Sequence, residues 1–532
     1  MHFMGSSRDQ TLAEHSAPVR DASMFKRFAI IVAVALANLP GGIGQAVSAD
    51  DSIFDLQEIR RVGRTVAAEL ADFDGDQRTD LMVVSLYGIP PREARTVFVY
   101  LQRPDGSLPD APSHSIALPR WSAVYDLADV KDSPGEELIL LRPEGVTILS
   151  LADSSGTRWD LNVGAPSTVA ASEDERGFDP FRLVYTEFGE DPWILVPQIG
   201  VLTALTADGT VVARIETARR ANYFVVPDSG PVAAESDLQL YFDVPKLAVG
   251  DVDGDGQVDI VASTRHEVRV FLRARDGSFS TVASYSLPLG FITPRDHIRG
   301  SGSVVTAARD IDADGRVDLM ITHIAGGFSD ATTTTYIYFN RDGDWNLAEP
   351  DDRFVSKGRL VSDLLIDLDL DNRLELVRIE LKFSLLEIVE LLLTKEIDPQ
   401  VSVHHLQADG HFNPKPTAKK KISTGVSFDT FRPSGFNPPM GLDVNADGFM
   451  DLVTSADGKG IEIFLGGTEK YFRKRTAIQK LPSAGVINFA DFNNDALPDF
   501  VLFDPQRFDT PVRIGINRGE LPGSPGSMST ER

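Results

Sequence analysis

The chain has 532 residues, 42% apolar and 24% charged, values ordinary for a folded soluble protein that argue against disorder, collagen and a polytopic membrane protein. A formal net charge of -26 would repel a phosphate backbone, which argues against nucleic acid as the main partner. Because there is no cysteine, disulfides, thiolate zinc sites, cysteine nucleophiles and a lipid-modified N-terminal cysteine are all excluded.

In chain order the first element is an address. Lys26 and Arg27 precede an apolar run over residues 28–39, followed by Pro40, Gly41 and Gly42 and then by Val47, Ser48 and Ala49. A basic region, an apolar core and a small-residue cleavage site in that order describe a signal peptide. The run is shorter than the ~20 residues a membrane span needs, so an uncleaved anchor is the competing reading. Met24 competes with Met1 as the start. Residues 1–49 are therefore expected to be leader and signal peptide, and the product to be exported to a periplasmic, cell-surface or extracellular place. No transmembrane segment is expected in the mature chain.

From residue 50 on, an internal repeat governs the reading. Three segments share acids at positions 1, 3, 5 and 9: Asp72, Asp74, Asp76 and Asp80; Asp251, Asp253, Asp255 and Asp259; Asp310, Asp312, Asp314 and Asp318. Three more carry single changes: Asp367, Asp369, Asp371 and Glu375; Asp443, Asn445, Asp447 and Asp451; Asp491, Asn493, Asp495 and Asp499. Each leads into a short apolar run such as Leu81-Met82-Val83-Val84, which places the acids in a loop between strands. Downstream of most of them an Asp-Gly pair recurs, as in Asp105-Gly106, Asp276-Gly277, Asp342-Gly343 and Asp409-Gly410, and predicts a tight hairpin. One repeat is then about four strands.

The interval between residues 72 and 251 is about three times the others, so two degenerate units are expected inside it. One begins at Asp129, with Lys131 and Ser133 where acids should stand; the other lies near Glu190 and Asp191 ahead of Trp193. Four-stranded units repeated four to eight times describe an all-β propeller, here of eight blades with seven as the alternative. The last unit lacks an outer strand, which residues 53–62 could supply to close the ring. One propeller domain is expected over residues 50–518 and a disordered tail over 519–532. Good helix formers over 384–396 predict one short helical insertion, capping a propeller mouth or docking a partner.

The acid loop with its downstream Asp-Gly turn resembles the FG-GAP/VCBS repeat family, whose propeller repeats also occur in integrin α-subunit heads. The resemblance covers nearly all of the mature chain, although the literal Phe-Gly and Gly-Ala-Pro pieces are largely missing. It implies calcium in the loops and an adhesion, lectin-like or scaffolding surface. The residues agree: calcium takes six to eight oxygens, alternate loop side chains can converge on one point, position 9 can close the cage, and glycines at position 6 allow the sharp turn. About six structural Ca²⁺ are expected, while the Asp129 and Glu190 loops should hold none. An EF-hand fails, since position 12 is Val83, Ala262 or Ile321 rather than Glu.

Enzyme signals are thin. His404, His405 and His411 read as exposed turn histidines, Lys419, Lys420 and Lys421 as a solvated run, and the four tryptophans as packing residues. The sequence points to a secreted calcium-binding module for an unspecified protein or glycan ligand, with no catalytic residue assigned. A polysaccharide lyase-like enzyme and a lectin are the rivals.

Overall fold

The computed structural model describes residues 53–521 apart from short segments, the longest being 170–176 and 228–235. Residues 1–52, on which the expected signal peptide falls, and residues 522–532 lie outside the described residues. The chain folds into eight four-stranded antiparallel units arranged in sequence order; the second gains a two-residue strand, Asp179–Pro180, parallel to its first, and the fifth and sixth are joined through the parallel pair Thr332 and Arg359 into one eight-stranded sheet.

Blade 1 comprises Arg64–Ala71, Asp80–Tyr87, Ala94–Tyr100 and His114–Leu118, and blade 2 Val124–Ala128, Glu137–Arg142, Gly145–Ser150 and Arg158–Asn162. Blade 3 comprises Val184–Tyr185, Trp193–Gln198, Val201–Leu205 and Val211–Glu216, and blade 4 Lys246–Gly250, Asp259–Ser263, Glu267–Phe271 and Tyr285–Pro288. Blade 5 is Ser303–Arg309, Asp318–Ala325, Thr332–Tyr338 and Asp352–Lys357, and blade 6 Arg359–Ile366, Glu375–Lys382, Gln400–His404 and Ala418–Lys421. Blade 7 is Met440–Leu442, Asp451–Thr454, Gly460–Phe464 and Ala477–Lys480. Blade 8 takes Val486–Ala490, Asp499–Phe503 and Val512–Asn517 from the end of the chain and Phe54–Ile59 from its beginning. The two degenerate units inferred from the long interval are blades 2 and 3.

Alternation along the second strands explains why these sheets stack. Successive side chains of a strand point to opposite faces, and here both faces meet a neighbouring sheet. Leu138 and Leu140 pack toward blade 1, whereas Ile139 and Leu141 pack toward blade 3. Ile260 and Ala262 likewise face blade 3, and Val261 faces blade 5. That two-sided burial is why the strand after each acid loop reads as an unbroken apolar run.

Eight apolar clusters result, each spanning two successive blades. The cluster of Ala68, Leu81, Val83, Phe492, Val501 and Ile514 joins blade 8 to blade 1, so the ring is closed. Closure joins segments distant in sequence through strand hydrogen bonds: Phe54–Ile59 pairs antiparallel with Val512–Asn517 over six residues. The N–H groups of Ile53 and Phe54 also donate to Gln479 Oε1 of blade 7, at 2.8 and 3.2 Å.

Two additions decorate the ring. A hairpin of Ala221–Pro227 and Ser236–Phe242 stands between blades 3 and 4, which the repeat pattern does not announce. In the expected helical insertion, residues 387, 391, 393 and 394 are helical and Lys395 N–H donates to the Leu391 carbonyl at 2.8 Å. Glu396 is not helical: Glu396–Ile397 is a short strand pairing with residues 424–425. The remaining residues of that insertion lie outside the described ones. Of the expected tail, Leu521 is buried against the core of blades 7 and 8. Among the described residues no helix is long and apolar enough to cross a membrane.

Candidate metal centres on the acid loops

Each acid loop joins the first strand of a blade to its second, and its position-9 residue is the first residue of that second strand. The Asp-Gly turns follow the third strand and so emerge at the same end. The position-9 carboxylate ties the two loops together. One oxygen accepts from the position-2 N–H: Phe73 to Asp80 at 2.9 Å, Val252 to Asp259 at 2.8 Å, Ile311 to Asp318 at 2.8 Å, Val444 to Asp451 at 2.8 Å and Phe492 to Asp499 at 2.9 Å. The other accepts from a backbone N–H at or just past the end of the third strand, of Gln102, Arg273, Asn340, Gly466 or Asn517, at 2.6–2.7 Å. These five aspartates are buried. Burial raises their carboxyls to about 6 for Asp80, Asp259 and Asp499 and to about 7 for Asp318 and Asp451. Sequence reasoning assigned position 9 only to a metal cage and missed this staple.

Positions 1 and 5 build the turn. The position-1 carboxylate accepts from the position-6 N–H in all six loops, at 2.7–2.9 Å. Position 5 accepts from the position-7 N–H in all six, at 2.8–3.0 Å. The backbone is left-handed at both positions 4 and 6, at Gly where one is present but also at Gln77, Ala313, Leu370, Asn372, Ala446, Asn494 and Ala496. A leucine or alanine held at positive φ is sterically disfavoured, and here it bends the acids toward one another.

The oxygens left over lie mostly at position 3. In Asp74, Asp312 and Asp369 one carboxylate oxygen is buried with no hydrogen-bond partner, as is Asp310 Oδ1 at position 1. Burial first, and neighbouring acids next, push the three position-3 carboxyls above the usual range. Ligand atoms lie within 4.8 Å of one another in the groups Asp72, Asp74 and Asp80; Asp251, Asp253 and Asp255; Asp310, Asp312 and Asp318; and Asp367, Asp369 and Asp371. The residues present therefore fit an oxygen-seeking cation.

The loops are not equivalent. Arg78 pairs with Asp76 in blade 1, so position 5 there is already neutralised. In blades 7 and 8 the Asn445 and Asn493 amides donate to Asp447 and Asp495, at 2.9 and 3.0 Å. In blade 2, Glu137 takes over the staple from Val130 N–H at 3.0 Å, and Lys131 Nζ reaches the Ala207 carbonyl at 2.5 Å over the Trp159 ring. Neighbouring loops are also tied to one another at several seams. The position-8 N–H of one loop donates to position 1 or 2 of the loop before it: Glu136 to Asp72 at 2.7 Å, Val317 to Asp251 at 2.8 Å, Leu374 to Ile311 at 2.9 Å and Met450 to Leu368 at 3.0 Å. Thr79 Oγ1 closes the series on the Asp491 carbonyl at 3.1 Å.

The histidines depart from the expected exposed turn. His404 is buried, with Nδ1 2.8 Å from the Asn413 carbonyl. His405 is partly buried, its Nδ1 3.1 Å from Glu375 Oε1 of the blade 6 loop. His411 is the exposed one, 3.3 Å from Asp352. The tryptophans pack as expected: Trp193 and Trp345 are buried in interblade cores and Trp121 and Trp159 lie against them.

The family described as FG-GAP-like repeat matches residues 251–321 and 443–502. These segments hold the acid loops of blades 4 and 5 and of blades 7 and 8, so the chain carries FG-GAP-like repeats in both regions. Comparison with curated proteins gives no match. Among solved structures, the chain is similar to an Agrocybe aegerita lectin described for specific recognition of non-reducing terminal N-acetylglucosamine, at 14% identity over 86% of each chain with a TM-score of 0.36. It is similar to the V. cholerae biofilm matrix protein Bap1 at 9% identity over 88% of each chain, TM-score 0.37. It is also similar to the Dos1 propeller at 8% identity, covering 88% of this chain and 96% of that one, TM-score 0.33.

Proposed function

We propose that the chain is an exported, calcium-stabilised propeller acting as a binding or scaffolding module for a protein or glycan. The observation that carries the calcium reading is the unpartnered, buried position-3 oxygen, found among converging carboxylates in separate blades. A buried acceptor without a donor costs about 1–3 kcal/mol, and a hard cation removes that cost. An all-oxygen cage with several carboxylates suits Ca²⁺ better than Mg²⁺, which keeps more of its water.

Backbone bonds tie the loops of blades 1 and 2, 4 and 5, 5 and 6, and 6 and 7, so a cation held there stiffens those seams. Metal binding on this reading serves stability and leaves the loops and turns of the ring to recognise a partner. Calcium titration of the exported chain is expected to fill the loops of blades 1, 4, 5, 7 and 8, with those of blades 7 and 8 weakest because their asparagine amides already satisfy position 5. A glycan array combined with a polysaccharide turnover screen tests the binding role. Turnover of any polysaccharide would replace this reading with an enzymatic one.

A further inference from the structure

Blade 6 breaks the pattern of the acid loops at two facing positions. Its position-9 residue is Glu375 rather than Asp. The last paired residues of the second and third strands are Leu376 and His404, so His405 comes next, opposite Glu375. In blades 1, 4, 5, 7 and 8 the residue at that place is Leu101, Leu272, Phe339, Leu465 and Ile516, all apolar. A longer acid and an imidazole have been introduced together. Their contact replaces one half of the staple: Glu375 Oε2 still accepts from Leu368 N–H at 2.7 Å, while Oε1 lies 3.1 Å from His405 Nδ1.

One ligand atom from each of Asp369, Glu375 and His405 lies within 4.8 Å of the other two. Hydrogen bonding within this group leaves two polar atoms over. Asp369 Oδ1 is buried without a partner. Tyr471, 2% exposed, also buries its hydroxyl without a partner. Tyr471 borders this loop, its ring 5.4 Å from the His405 ring. An imidazolium–carboxylate pair alone would satisfy His405 and Glu375 and leave Tyr471 and Asp369 unsatisfied, which buried polar groups rarely are.

We infer that Asp369, Glu375 and His405 form a mixed nitrogen–oxygen site for a borderline divalent ion of the zinc type, with the Tyr471 hydroxyl placed for a water in its remaining position. Two carboxylates and one imidazole with an open fourth position are a donor set that suits zinc. Calcium takes oxygen ligands and gains nothing from an imidazole. The inference differs from the calcium reading of the other loops in its imidazole: Asp369 has counterparts in Asp74 and Asp312, but a histidine facing the position-9 carboxylate stands in blade 6 and not in blades 1, 4, 5, 7 and 8.

The test is zinc binding to the intact chain in the presence of millimolar calcium, by calorimetry and by metal analysis after dialysis, with cobalt substitution as a spectroscopic probe. One tightly held Zn²⁺ per chain is expected, and Co²⁺ loaded into the zinc-free protein should give the visible absorption of low-symmetry coordination, lost when Zn²⁺ is added. His405→Gln keeps a hydrogen-bonding side chain and should weaken zinc by more than the roughly 10–100-fold that loss of an outer-shell partner costs, with calcium uptake elsewhere unchanged. Tyr471→Phe removes only the hydroxyl and should weaken it by about 10-fold. Circular dichroism of both variants in calcium checks folding, and His405→Ala with added imidazole gives a second route should His405→Gln misfold. No zinc bound to the wild type, or zinc bound equally well by the His405 variants, overturns the inference. Several zinc ions bound regardless of His405 would show the acid loops taking it indiscriminately and would overturn it as well. Calcium counts in zinc-free buffer report separately on the other five loops.

Discussion

Asp318→Ala separates the two roles that position 9 could play. Asp318 is fully buried and accepts two backbone hydrogen bonds, from Ile311 at 2.8 Å and Asn340 at 2.7 Å. Removing the carboxylate leaves both N–H groups buried without an acceptor, at about 1–3 kcal/mol each, or about 2–6 kcal/mol together. The loss spreads to the seam, because the Asn340 side chain donates to the Val252 and Val317 carbonyls at 2.6 and 3.2 Å and so ties blade 5 to the blade 4 loop. The assay is thermal and urea unfolding in chelator, where no calcium effect can enter, with amide exchange of Ile311 and Asn340 as the local readout. Wild-type stability of Asp318→Ala in chelator would refute the staple. A defect that appears only with calcium present would return Asp318 to the role of a metal ligand and nothing else.

Calcium at millimolar level should raise the melting temperature of the wild type, each site filled to 100 times its Kd adding ~2.7 kcal/mol. Asp255→Ala should bind fewer ions by direct titration, and a melting curve indifferent to chelator would sink the calcium reading. The position-9 carboxyls set a pH dependence in chelator. Their folded values of about 6 for Asp80, Asp259 and Asp499 and about 7 for Asp318 and Asp451 stand above the ordinary 3.8. The folded state thus holds these protons more tightly, a contribution complete below pH ~4 and lost as the pH rises through 6 to 7. Metal-free protein should melt at a lower temperature at pH 8 than at pH 5.5, and a rise instead would contradict the assignment. Phe54→Ala tests closure: Phe54 is 1% exposed and meets Phe500 edge-on at 4.9 Å, so its loss should cost about 3–5 kcal/mol. Unchanged unfolding of that variant would mean the ring does not depend on its terminal strand.

Much of the architecture is written along the chain because a repeat states its rule many times over. The six acid motifs, the apolar runs after them and the Asp-Gly turns fix four strands per unit, and the long interval before Asp251 betrays blades 2 and 3. Even the borrowed outer strand is legible, since the last unit ends one strand short. Closure, by contrast, joins Phe54 to Asn517 and Thr79 to Asp491, pairs with no local signature. The hairpin at 221–242 was invisible because it follows no repeat.

At the loops, sequence supplied the acids, and the fold decided their separate uses. Spacing alone makes positions 1, 3, 5 and 9 look like one ligand set. Only the approach of the third strand brings a second N–H onto Asp80 or Asp318 and turns position 9 into a staple. The left-handed backbone at Leu370 and Ala496 has no glycine to announce it. His405 lies outside the motif, and its nearness to Glu375 depends on strand register: a shift of one residue would carry it to the opposite face. Composition and period are properties of the chain and can be read from it. Which carboxylate oxygen is left without a donor depends on what every neighbouring strand brings to it, and that is settled only when the ring closes.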